Sequence, residues 1–260
     1  MSSEKDPFED AHKLTDPTTS PIEVQRTLNR IGGVNVHRGV HEGFPVNTGA
    51  PFMVIGVGGF YGAGKDVYAD AVVDNVGFEK SFMSKFLQKC IRIINPWIRI
   101  DKHVSHPLLR VVHWSPGDMV KYADLESWAN YEGAKEQKEV REWLQLMGTE
   151  VGRKILGEDT WVRLMREDLL AIKERGHNAI VTGIRYPNEL ALIHEFRGRL
   201  VWVTRPGFEP TGATATHSSE VTLTREDFDH EVLNDGAKKD LQYVATTQVN
   251  GWIDGWNGYE

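Results

Sequence analysis

At 260 residues, 40% hydrophobic and 26% charged, the chain has the length and composition of one α/β domain with insertions or of two small domains. Its formal net charge of −7 argues against non-specific binding of duplex nucleic acid, which rests on many Lys and Arg contacts to phosphate, but leaves room for a local cation cluster that takes a small anion. No apolar run approaches the roughly 20 residues that span a bilayer, residues 1–6 lack a signal-peptide core, and the lone Cys90 excludes an intramolecular disulfide or Cys-rich zinc site; no membrane partner and a cytoplasmic location are expected.

Residues 1–50 read as an N-terminal extension, partly flexible, with Pro7, Pro17 and Pro21 among polar residues and a turn-rich connector up to Pro51. The main domain is expected over residues 51–260. It begins with an apolar run, Phe52 to Val57, that ends in glycines and a lysine. Gly59, Gly64 and Lys65 fit the phosphate-binding pattern G-x4-G-K, known as Walker A. Such a stretch predicts a buried strand turning sharply into a helix, so that loop and helix N–H groups converge on a phosphate. Lys65 adds a point charge for β- and γ-phosphates, and Gly62, Ala63, Asp66 and Val67 complete the candidate nucleotide contacts. The pattern usually closes with Ser or Thr, whose hydroxyl binds Mg²⁺; Asp66 stands there instead. The rival reading is a glycine-rich turn with Lys65 solvated in the first helical turn, a position the helix dipole disfavours for a cation.

A helix is expected over residues 64–75, closed by Gly77, followed by a short strand from Phe78 to Phe82 and a helix from Ser84 to Ile94 that buries Cys90. Residues 95–133, punctuated by Pro96, Pro107 and Pro116 and rich in tryptophan, read as an irregular insert that covers a cleft. Their histidines, His103, His106 and His113, have no standard metal spacing. Ala134 to Met147 reads as a helix, and a second helix runs from Thr160 to Arg175. A buried strand over residues 178–184 leads to Pro187, which opens a helix at its favoured first position. The next strand, Leu200 to Thr204, is followed by a small-residue loop over residues 205–220 that reads as a lid. A strand near residues 231–233 and a helix from Gly236 complete the alternation. Strands without a period of two, alternating with helices, predict a parallel sheet flanked by helices. The Gly59–Lys65 loop, Arg185 and Arg205 each follow a predicted strand and are expected at one edge of it.

Gly59-x4-Gly64-Lys65-Asp66, Leu144-Gln-Leu-Met-Gly-Thr-Glu-Val-Gly-Arg153 with Trp161-Val162, and Arg185-Tyr-Pro-Asn-Glu189 together resemble the deoxynucleoside monophosphate kinases of tailed bacteriophages. His217-Ser-Ser-Glu220 and Asn234-Asp-Gly236 with Leu241 are similar to that family's closing motifs. The resemblance covers roughly residues 52–248 and implies a P-loop, nucleoside monophosphate kinase-like α/β fold. It implies transfer of the ATP γ-phosphoryl group to a deoxynucleoside monophosphate, with Mg²⁺, in the infected host's cytoplasm if the protein is viral. On it, Lys65 holds the donor phosphates, Arg153 and Arg185 bind or bridge the acceptor phosphate, and Arg205 reaches the developing charge. Gln145, Thr149 and Glu150 join Arg153 and Arg185 on the substrate side, and Asp66 holds the metal through water. A homodimer is compatible with these expectations.

Each assignment has a plainer rival: Arg153 capping a helix or pairing with Glu150, Gln145 and Trp143 as packing, Thr149 and Glu150 as turn formers. The chain departs from the family at Gly183, where an acidic residue is common, leaving Asp66 or Glu189 to supply that carboxylate. Three other functions stay open: a different small-molecule kinase resembling phosphomevalonate kinases, which share Gly-Lys-Asp; a motor acting on DNA; and a nucleotide-binding scaffold without catalysis. The motor reading needs an acidic pair at a second strand end, which residues 179–184 do not offer.

Overall fold

A computed structural model describes residues 52–105, 112–208 and 222–256. The expected extension of residues 1–50, His106, His217 and most of the expected lid of residues 205–220 lie outside the described residues. The described residues form two compact units, one of residues 84–164 and one of residues 52–83 and 165–256.

The second unit is built on a five-stranded sheet. Its strands are β1 (Val54–Gly58), β2 (Glu79–Phe82), β7 (Ala179–Thr182), β8 (Arg199–Thr204) and β9 (His230–Leu233), in the order β2-β7-β1-β8-β9 with every pairing parallel. All five residues of β1 and all four of β7 are buried, which explains their unbroken apolar runs: both faces are covered. Helix α1 (Lys65–Val76) and the final helix α7 (Lys238–Trp256) close one core with Tyr68, Val72, Ile180, Val203 and Leu241. Helix α6 (Pro187–Glu195) packs against β1 and β8, with Leu192 and Ile193 buried. The period of two appears in edge strand β2. Lys80 reaches Asp70 on α1, while the next residue, Ser81, donates from the opposite face to Asp168, 2.7 Å away, in helix α5 (Thr160–Glu174). This is the parallel α/β sheet flanked by helices expected from the sequence.

The register places the loops. Val57 lies beside Thr182 of β7 and Val201 of β8, and Thr204 lies beside Leu233 of β9. Gly59, Gly183, Arg205 and Asn234 therefore leave the sheet at one edge, the carboxyl edge.

The first unit has its own core of Ile91, Ile98, Ile100, Tyr122, Leu125 and Val140. Residues 95–133 are more regular there than expected. Strand β3 (Trp97–Arg99) pairs antiparallel with β6 (Met119–Lys121), and β4 (Val104–Ser105) with β5 (Val112–Trp114); helix α3 (Tyr122–Ala134) follows. The strands are two or three residues long, too short to show a period. Cys90 is buried in α2 (Lys85–Ile94), and burial pushes its thiol up to about 12. The helix expected over 134–147 is α4 (Lys138–Gln145), which passes directly into a π-helix, Leu146–Ile155. No helix among the described residues is long and apolar enough to cross a membrane.

Candidate active site

The turn between β1 and α1 is made by glycines in left-handed backbone: φ is +134° at Gly59, +77° at Gly62 and +105° at Gly64. A side chain at Gly59 would also put its Cβ 2.4 Å from the Val203 carbonyl oxygen, so both conformation and space demand glycine. Gly64 is the N-cap residue of α1 and has no side chain with which to cap that helix end. Lys65 folds back over the turn, its ammonium donating to the carbonyl oxygens of Gly59 at 2.8 Å and Phe60 at 2.7 Å.

The residues that immediately follow β8 and β9 brace this loop. Asn234 donates its side-chain amide to the Ala63 carbonyl at 2.8 Å, and its backbone N–H donates to Thr204 at 2.7 Å. Arg205 donates to the Gly62 carbonyl at 3.3 Å and lies 4.3 Å from the ring centroid of Phe208, the ring that packs on Gly62. The arginine expected on the lid thus sits beside the loop's middle glycine.

Asp66 stands in the first turn of α1 with its carboxylate largely exposed. The Thr182 hydroxyl at the end of β7 lies 3.4 Å from Asp66 Oδ1. Lys80 Nζ sits 2.9 Å from the same carboxylate and 2.8 Å from that of Asp70. Burial works to lower the Lys80 ammonium's affinity for its proton, but the hydrogen bonds to Asp70 and Asp66 outweigh it and hold its pKa above the ordinary value.

Gly183 has φ +80°, and a Cβ there would meet nothing within 4 Å, so its requirement is conformational. The following residue, Ile184, is buried and Arg185 is exposed. Glu189, proposed from sequence as a substitute carboxylate, is committed locally. It is buried and accepts the backbone N–H groups of Arg185 at 2.7 Å and Tyr186 at 3.2 Å, closing a capping box at α6. Of the two substitutes considered for Gly183, Asp66 alone is exposed beside the loop.

The other substrate-side candidates belong to the first unit. Gln145 ends α4 and is exposed, while Thr149, Glu150 and Arg153 lie in the π-helix. Glu150 pairs with Lys154, at 2.8 and 2.9 Å, rather than with Arg153 as the plainer reading allowed; Arg153 donates to the Glu158 carbonyl at 3.3 Å. Trp143 packs against the first unit's core, and His113 stacks on Trp128 with centroids 4.1 Å apart. Sequence reasoning passed over Lys80 altogether, because a lysine on an edge strand looks like ordinary solvent-facing polarity.

A family model described as deoxynucleotide monophosphate kinase matches residues 84–244. A deoxynucleoside-5′-monophosphate kinase of Escherichia phage T5 is 29% identical over 98 residues, which are 36% of this chain and 38% of that protein. Uncharacterized protein ORF77 of Ictalurid herpesvirus 1 (strain Auburn) is 33% identical over 96 residues, 36% of this chain and 41% of the viral protein. The chain thus spans about two fifths of the length of these relatives. Among solved structures, an unliganded sugar kinase from Janibacter sp. HTCC2649 matches 78% of this chain and 95% of its own, at 15% identity and a TM-score of 0.39, a likeness too slight to carry an argument.

Proposed function

The chain belongs to the deoxynucleotide monophosphate kinase family, and on that premise we propose that it transfers the γ-phosphoryl group of ATP to a deoxynucleoside 5′-monophosphate, giving the diphosphate and ADP. The observation that carries the reading is the Gly59–Lys65 loop. It combines three left-handed glycines, a glycine at the N-cap of α1 and a lysine folded over the turn. The N–H groups at a helix start attract phosphate, and the bound anion offsets the cost of placing Lys65 there.

In the transfer, an oxygen of the acceptor phosphate forms a bond to the γ-phosphorus as the bond from that phosphorus to the β,γ-bridging oxygen breaks, leaving ADP with the electron pair. The acceptor oxygen is already anionic, so no general base is required, and positioning with charge neutralisation supplies the rate. Lys65 is assigned to the donor β- and γ-phosphates, exchanging its two loop carbonyls for phosphate oxygens. Arg205, anchored at Gly62, is assigned to the charge that develops on the transferring group. Arg185 and Arg153 are assigned to the acceptor phosphate, which the planar guanidinium pairs bidentately. Gln145, Thr149 and Glu150 are assigned to the acceptor side with them.

The donor set fits a magnesium ion. The exposed Asp66 carboxylate and the Thr182 hydroxyl are hard oxygen donors, and among the described residues no group of three or more His, Cys, Asp or Glu is placed to cage a metal. Such an ion keeps much of its water and takes phosphate oxygens, so one or two protein oxygens suffice. When bound with the nucleotide it supplies charge neutralisation between the phosphates; Asp66 is the residue assigned to hold it, through water.

The test is a coupled ADP-forming assay with ATP, Mg²⁺ and each of dAMP, dCMP, dGMP and dTMP, with ribonucleotide controls. We expect turnover that depends on a deoxynucleoside monophosphate, lowered by several powers of ten in Lys65→Ala, each factor of ten being about 1.4 kcal/mol of transition-state stabilisation. No ADP above background with any monophosphate, or equal rates with and without Lys65, refutes the reading.

A further inference from the structure

The winding of residues 146–155 is the least ordinary backbone in the described chain. Helix α4 runs without a break into ten residues of π-helix, and Leu156 N–H still donates five residues back, to Val151, at 3.1 Å. Most π-helical winding is confined to single turns, so an extended run needs tertiary contacts that favour it over α-winding.

Those contacts converge on one side chain. Trp161, 4% exposed, donates its indole N–H to the Gly148 carbonyl at 2.8 Å. Its six-membered ring and indole nitrogen lie against Gly152 so closely that a Cβ there would fall 2.3 Å from Cζ2 and 2.5 Å from Nε1. Gly148 and Gly152 bracket Thr149, Glu150 and Val151. Arg153, the next residue, ties back to the carbonyl of Glu158, on the turn that leads to Trp161. One indole therefore touches the π-helix at two points on either side of the polar residues it presents.

We propose that Trp161 is a positioning residue for the acceptor: through Gly148 and Gly152 it holds residues 146–155 in π-helical winding and thereby sets where Thr149, Glu150 and Arg153 meet the monophosphate. This rests on the acceptor-side assignment made above. An α-helical register would turn each of these side chains by a different amount about the axis, so the three polar groups would no longer share their present arrangement. Glycine at 152 follows from the same contact, since any side chain would displace the ring.

The test compares wild type with Trp161→Phe, which keeps an aromatic ring over Gly152 and deletes the N–H, and with Gly152→Ala, which pushes the ring away. We expect the KM for the deoxynucleoside monophosphate to rise about tenfold in each, as loss of one buried hydrogen bond implies. The KM for ATP should stay within about twofold, serving as the control for folding, while amide hydrogen exchange quickens over residues 148–156. Unchanged exchange in both variants, or an equal rise in both KM values, overturns the proposal. An inactive wild type fails the kinase reading instead, and a wild type active on monophosphates beside an unaltered Trp161→Phe fails this inference alone.

Discussion

Asn234→Ala removes the side-chain donor that holds the phosphate loop from outside. The Ala63 carbonyl it serves belongs to a residue 1% exposed, so water does not readily replace the lost amide. Leaving a buried acceptor without its donor costs about 1–3 kcal/mol. Because the bond fixes the loop just before Gly64, that cost falls on the conformation proposed to bind phosphate, and on that proposal it converts to about a 5- to 150-fold loss of nucleotide affinity. The backbone hydrogen bond from Asn234 to Thr204 is untouched, so β9 should stay paired and the thermal midpoint should fall only a few degrees. Asn234→Asp should be worse than alanine, since it sets a carboxylate against a carbonyl oxygen. Equilibrium titration with a fluorescent ATP analogue measures the effect. A folded Asn234→Ala that binds within twofold of wild type, or an aspartate variant that binds better than alanine, would refute the argument that this amide shapes the loop.

Lys80→Met takes away the ammonium that shares the Asp66 carboxylate. The Mg²⁺ concentration giving half-maximal nucleotide binding should fall about two- to fivefold, the scale of a partly exposed ion pair, and a rise would mean that Lys80 orients Asp66 for the metal. The His230 ring lies tilted against Trp252, centroids 4.8 Å apart, and burial, followed by the charge of Arg199, holds its pKa below the ordinary value of 6.5. The folded state therefore takes up that proton less readily than the unfolded state. The stability this contributes is complete above the unfolded value and is lost as pH falls through it toward the lower folded value. Thermal melts of His230→Gln should lose less stability than wild type between about pH 7 and pH 5; parallel pH curves would remove His230 as the cause.

The strand, loop and first helix were legible because each signal is local. An apolar run both of whose faces are buried needs no partner to be recognised, and glycines at 59, 62 and 64 announce backbone that other residues adopt at a cost. Pro187 marked the start of α6 for the same reason. Residues 95–133 were opaque because two- and three-residue strands have no period and are held by cross-strand partners. Glu189 looked available as a carboxylate from its place in the motif, yet the sequence does not show that the backbone N–H groups of Arg185 and Tyr186 turn toward it.

By itself, then, the sequence determined an alternating α/β chain with a sharp glycine turn between its first strand and helix, and a family resemblance carried by three separated motifs. Only the tertiary structure decided what surrounds each polar group. Sheet register puts Arg205 and Asn234 beside a loop that is distant in sequence. The alternation of β2 turns Lys80 onto Asp66, and the Trp161 indole meets the Gly148 carbonyl and the face of Gly152 from beyond the π-helix. The physical division is between conformational preferences, which a few neighbouring residues set, and hydrogen-bond and ion-pair partners, which exist only once distant segments are packed together.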